Sequence, residues 1–155
     1  MPNTELPVRS FAVSICLLKR IADETRVLLL RRTGFLAGSW CQVAGGIEPG
    51  ETAWQTALRE TREETGLSVE RLWSADICEQ FYEVDKNCIT LVPVFVGLVR
   101  DDAEVVLNDE HDAFEWLCFE EACRRVSFPG QRKMLEAVRA EFADRSPNPI
   151  LEIAI

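Results

Sequence analysis

The chain has one histidine and, among its six cysteines, no pair spaced as C-x-x-C. Too few ligands remain for a zinc site. Cys16, Cys41, Cys78, Cys88, Cys118 and Cys123 therefore read as small apolar fillers in a reducing compartment, with a disulfide framework a poor second. Basic charge is also scarce, since 17 Lys and Arg stand against 26 Asp and Glu, a net charge of −9. That balance argues against a partner gripped by its phosphate backbone, and so against a nucleic acid polymer. No apolar run is long enough to span a membrane, and the opening MPNTELPVRS lacks both the basic start and the apolar core of a signal peptide. A soluble cytoplasmic protein is expected. Repeats, low-complexity tracts and linkers are missing too, so residues 1–155 read as a single domain, with 47% hydrophobic residues to build its core.

What is present concentrates between Gly45 and Leu67, GGIEPGETAWQTALRETREETGL. Three glycines and a proline in the first six positions should interrupt both strand and helix and force a tight bend. Thr52 followed by Gln55 is a capping-box pattern, and Gly66 with Leu67 behind it suits a helix C-terminus, which predicts about fourteen helical residues between them. At helical spacing Glu60, Glu63 and Glu64 share one face, and Trp54, Leu58, Thr61 and Thr65 share another.

Like charges at such spacings repel by a few tenths of a kcal/mol per pair, so helix stability does not account for the acids. One reading is a solvated acidic face, which is what such runs usually are. The other is a divalent cation site: Mg²⁺ takes hard oxygen ligands and keeps waters that substrate phosphates can replace. Ala53 and Ala57 on the same stripe are small enough to let the preceding loop come close.

The whole stretch resembles the Nudix box, G-x5-E-x7-R-E-U-x-E-E-x-G-U with U aliphatic. Gly45, Glu51, Arg59, Glu60, Glu63, Glu64, Gly66 and Leu67 fall on its positions. Thr61 departs from it, standing where an aliphatic side chain is expected, on the Trp54/Leu58 face. Glu110 to Leu117, EHDAFEWL, is similar to a second segment found downstream in many members.

The resemblance implies an α/β fold, specifically an α/β/α Nudix sandwich with a mixed β-sheet flanked by helices. It implies a Mg²⁺-dependent pyrophosphohydrolase, with Mn²⁺ as a possible substitute. Glu60, Glu63, Glu64 and the Ala44 carbonyl are the candidate metal ligands. Arg59 and Glu51 would orient them, and Glu110 or Glu64 would serve as general base. Gly45 and Gly46 border the substrate, and Arg31 or Arg32 could meet its phosphates, since arginine forks match phosphate oxygens; a solvated strand end is an equal reading. The preferred substrate is a nucleoside triphosphate or analogue such as dATP or dihydroneopterin triphosphate. A diadenosine polyphosphate is the alternative, and a non-catalytic nucleotide-binding module is the reading from another class. The protein is expected to be a monomer or a homodimer.

Along the rest of the chain, residues 9–19 and 26–32 read as a hairpin, the first strand buried on two sides. Residues 33–39 read as a loop, and 40–44 as a strand in which Trp40 is more a core residue than a pocket wall. Residues 67–81 suggest one or two strands. Residues 88–99 form the most strand-like run, with Pro93 demanding an edge or a bulge. Residues 113–119 suggest a strand, 120–126 a short helix and 129–142 a helix opened by Pro129. The tail NPILEIAI either joins the sheet or pairs with a second subunit.

Overall fold

The computed structural model describes residues 4–155; Met1–Asn3 of the opening segment lie outside it. The first strand, β1, is Val8–Arg9, and β2 (Ala12–Ile21) and β3 (Glu24–Arg32) form the expected antiparallel hairpin. Next come β4 (Trp40–Cys41), β5 (Val43–Gly46), helix α1 (Ala53–Thr65), β6 (Arg71–Glu83), β7 (Cys88–Leu98) and β8 (His111–Leu117). The chain finishes with α2 (Phe119–Arg125), α3 (Pro129–Val138), a π-helical turn over Arg139–Ala143 and β9 (Glu152–Ile153). Among the described residues the strands form one mixed sheet ordered β4-β3-β2-β7-β6-β9, with β1 beside β7, β5 beside β2 and β8 beside β3. The β2–β7 and β1–β7 pairs are parallel and the other strand pairs antiparallel.

Both faces of this sheet are covered, which is why β2 and β3 are apolar at consecutive positions rather than at alternate ones. Val13, Ile15, Leu17, Leu28 and Leu30 pack toward α1 with Val43, Ala57 and Leu67. Cys16, Leu18, Val27 and Leu29 pack the other way with Met134, Leu135, Val138 and Phe142 of the last helix. The result is the α/β/α sandwich. Trp40 is partly buried against that second cluster, on the core side, and the guanidinium of Arg125 lies 4.9 Å from its ring centre.

Pro93 is not at an edge, because β7 lies between β2 and β6. It sits instead at a bulge, where the β6–β7 register slips between Ser74 and Cys78 and Asp76 adopts φ 58°. The extra residues of β6 relieve the ladder beside a residue that cannot donate to it. The tail closes on its own sheet, with β9 antiparallel to β6 and Arg71 forked onto Glu152 through two 2.9 Å bonds.

The glycine stretch differs from expectation. Gly45 and Gly46 do not break the strand; they continue β5, opposite Val13 and Ala12 of β2. The bend begins only after them, and Gly50 takes the left-handed φ of 86°. A missing side chain at Gly45 serves a different need: a Cβ there would run into the carboxyl group of Glu60. It is β5 itself, and not the following loop, that passes closely over the acids of α1.

Candidate active site

Helix α1 is capped at both ends as its sequence dictates. Thr52 Oγ1 accepts from the Gln55 amide, the Gln55 side chain accepts from the Thr52 amide, and Gly66 at φ 70° donates to Arg62 O at 2.9 Å. Thr61, the exception to the aliphatic pattern, is fully buried and donates its hydroxyl to Ala57 O at 2.8 Å, so its polar atom stays satisfied inside the helix. The rigid helix presents Glu60 and Glu64 on its sheet-facing stripe with Ala57, and turns Glu63 outward.

Arg59 organises the exposed half of the site with all five of its N–H groups. Nε and Nη2 fork onto Glu51 at 2.6 and 3.0 Å, Nη1 reaches Glu60 at 2.8 Å and Glu63 at 3.3 Å, and Nη2 also donates to Gly46 O at 2.9 Å. Glu51 additionally accepts from the Thr56 hydroxyl and the Glu48 amide. Arg59 and then Thr56 hold the Glu51 carboxyl down at about 2, so it is ionised throughout the physiological range.

The buried half behaves oppositely. Glu64 is 2% exposed, and burial, then Glu60, then Glu110 push its carboxyl up to about 9. Burial likewise raises Glu60 against the pull of Arg59, with Glu63 and Glu110 adding to the rise. The mutual influence of Glu60, Glu64 and Glu110 puts the three acids within electrostatic reach of one another, although Glu110 comes from the loop before β8. Beside them is a cavity of about 420 Å³ lined by Arg32, Cys41, Ala44, Glu64, Glu110 and His111 among others.

The two arginines at the end of β3 part company. Arg32 borders the cavity beside Cys41 and Glu64, where its charge works against the rise of the Glu64 carboxyl. Arg31 lies elsewhere: its Nε donates to Asp112 at 2.7 Å, and it does not line the cavity. The cause is a register slip between Arg31 and Arg32 against β8, which sends Asp112 out to meet Arg31 and turns His111 inward opposite Arg32.

No three Asp, Glu, His or Cys side chains among the described residues already converge as a cation cage. The donor set nonetheless fits a hard divalent cation. Two carboxyls are crowded together under a strand that leaves them room, and Glu64 Oε2 is buried without a hydrogen-bond partner. A cation at Glu60 and Glu64 would add positive charge where the two carboxyls crowd each other.

Several residues near this site carry no sequence motif of their own. His111 and Cys41 face each other in the cavity wall, with His111 Nε2 3.9 Å from Cys41 Sγ. Gln42 donates to Glu79, which also accepts from Ser14, and Gln131 of α3 donates to Gln42 at 3.3 Å. Only the neighbourhood of Glu110 with His111 in the second segment could have pointed to any of them.

A mixed sheet covered on both faces, with a strand, a glycine-flanked loop and an acidic helix bringing arginine and glutamates together, defines the class of fold to which the chain belongs. The NUDIX domain model matches residues 10–142, and the chain belongs to that family of hydrolases. It is 39% identical over 136 residues to an octanoyltransferase of Myxococcus xanthus; that match takes in 86% of this chain but spans only 37% of the relative's length. It is 33% identical over 125 residues to the asymmetrical bis(5'-nucleosyl)-tetraphosphatase of Mus musculus, covering 77% of this chain and 83% of that one. The crystal structure of a C. elegans Ap4A hydrolase binary complex superposes with a TM-score of 0.75 at 25% identity, over 86% of this chain and 98% of that one.

Proposed function

We propose that the protein is a Mg²⁺-dependent pyrophosphohydrolase, with Mn²⁺ able to substitute, that attacks a phosphoanhydride of a small nucleotide with water. The observation that carries this reading is a buried Glu64 oxygen without a hydrogen-bond partner on the wall of a cavity that the Arg32 guanidinium also lines. Glu60, Glu63, Glu64 and the Ala44 carbonyl would hold the cation, which when bound neutralises phosphate oxygens and acidifies a bound water. Arg59 and Glu51 keep the carboxylates in place, Arg32 binds phosphate, and Gly45 and Gly46 border the substrate along β5, with Gly45 leaving room for the Glu60 carboxyl beside it. Glu110, exposed beside Glu60 and Glu64, receives the proton from the attacking water.

The tetraphosphatase relatives favour an asymmetrically cleaved dinucleoside tetraphosphate over a nucleoside triphosphate such as dATP or dihydroneopterin triphosphate. The site is expected to work on free nucleotides in the cytoplasm, without polymer or membrane, as a monomer or homodimer. The test is phosphate and nucleotide release from diadenosine tetraphosphate, dATP, dihydroneopterin triphosphate, nucleotide sugars and ADP-ribose with and without Mg²⁺. Turnover of diadenosine tetraphosphate to ATP and AMP only with Mg²⁺ is expected. Saturable binding of these nucleotides without any turnover would instead make the protein a non-catalytic nucleotide-binding module.

A further inference from the structure

Three buried polar side-chain atoms among the described residues have no hydrogen-bond partner: Glu64 Oε2, Trp73 Nε1 and His111 Nδ1. Two of them face each other, with His111 Nδ1 3.9 Å from Glu64 Oε2. His111 is 7% exposed and Glu64 2%, so solvent does not satisfy either atom. An orphaned donor and an orphaned acceptor in the same dry wall are each costly, by about 1–3 kcal/mol, and a movement of about 1 Å would join them.

The other side of the ring meets a second polar group. Nε2 looks at the Cys41 thiol, and burial raises that thiol so that it stays S–H and can donate. A carboxylate that holds a cation can only accept, so the ring hydrogen that meets Glu64 sits on Nδ1 and leaves Nε2 to accept from the thiol. The β3–β8 slip that turns His111 inward holds the ring there.

We propose that His111 is a positioning residue for Glu64: anchored through Nε2 by the Cys41 thiol, it donates Nδ1–H to Glu64 Oε2 and leaves Oε1 aimed at the cation. The inference rests on the reading of Glu64 as a cation ligand. Carboxylate ligands are commonly held by such a donor, and losing it costs roughly 10- to 100-fold in metal affinity.

The test is Mn²⁺ titration of substrate-free protein, following free Mn²⁺ by electron paramagnetic resonance, with melting temperature measured alongside. H111A should bind Mn²⁺ at least about tenfold more weakly than wild type. H111N places an amide N–H near the Nδ1 position and should stay within about threefold of wild type. Both variants lose the ring, so a packing role would lower both melting temperatures while leaving Mn²⁺ affinity level between them. Wild-type Mn²⁺ affinity in H111A, or equal weakening in H111N and H111A, overturns the proposal. If H111A does not fold, C41A decides: weaker Mn²⁺ binding supports the anchor, and unchanged binding overturns it. A wild type that binds Mn²⁺ but hydrolyses no nucleotide removes the proposed function and leaves His111 in its role; one that binds no Mn²⁺ removes both.

Discussion

Glu64 and Glu79 are two carboxyls drawn out of water on opposite faces of the same sheet, and burial raises the pKa of each. Their surroundings differ completely. Glu79 accepts from the Ser14 hydroxyl and the Gln42 amide, and Gln42 is in turn held by Gln131, so β2, β6, the junction between β4 and β5, and α3 are stitched together through it. Glu64 meets other acids, and its Oε2 has no partner. A carboxyl that serves architecture ends up with its bonds made, because an unmade one is destabilising. A carboxyl left crowded and unpaired is tolerated where some further ligand completes it.

The sharpest way to break this contrast is to neutralise each acid. E64Q should cut kcat on diadenosine tetraphosphate by a hundredfold or more (about 2.7 kcal/mol of transition-state stabilisation) with an unchanged circular dichroism spectrum. E63Q should follow it in direction. Equal turnover by wild type and both variants at saturating Mg²⁺ would sink the assignment. Added Mg²⁺ should raise the melting temperature of wild type, since a ligand at about 100 times its Kd adds about 2.7 kcal/mol, and the rise should vanish in E64Q. Calorimetry with and without EDTA measures it.

E79A should do the reverse. Stripping the acceptor from Gln42 and Ser14 should cost about 1–3 kcal/mol of stability in a urea melt, with turnover per folded molecule little changed. A variant that melts normally yet loses turnover would place Glu79 with the catalytic acids and end the contrast. G45A tests the close approach of β5 to Glu60: the added methyl should cost about 1–3 kcal/mol and lower Mg²⁺ affinity, as read by the same melts.

The smallest effect concerns acid. Glu51 is lowered from the ordinary 4.5 to about 2, so its contribution is complete above 4.5 and disappears as pH falls toward 2. R59A should therefore flatten the loss of stability between those pH values relative to wild type. Parallel pH–stability curves for the two proteins would show that Arg59 does not hold Glu51 in solution.

Much of this was legible before any coordinate. The capping box at Thr52, the stop at Gly66 and the one-sided acids of α1 are local properties, written within a few residues of each other. The double-sided apolar character of β2 and β3 announced a sheet covered on both faces. One reading failed: Gly45 and Gly46 suggested a turn because propensity favours one, but β2 pairs with them and the tertiary ladder overrides propensity. Pro93 suggested either an edge or a bulge, and only the position of β7 inside the sheet selects the bulge. Arg31 and Arg32 could not be told apart, because a one-residue slip against a strand 80 positions away decides which of them faces the cavity.

The sequence by itself determined the reaction-bearing helix: its length, its caps, and the placing of Arg59 between Glu60 and Glu51. Those depend on spacings of a few residues, which the α-helix converts directly into a face. The tertiary structure alone decided which acid is buried and unsatisfied, that Glu110 joins Glu60 and Glu64, and that Cys41 and His111 stand behind Glu64. These are meetings of side chains from different strands and loops, and burial and proximity do not exist until the sheet has assembled.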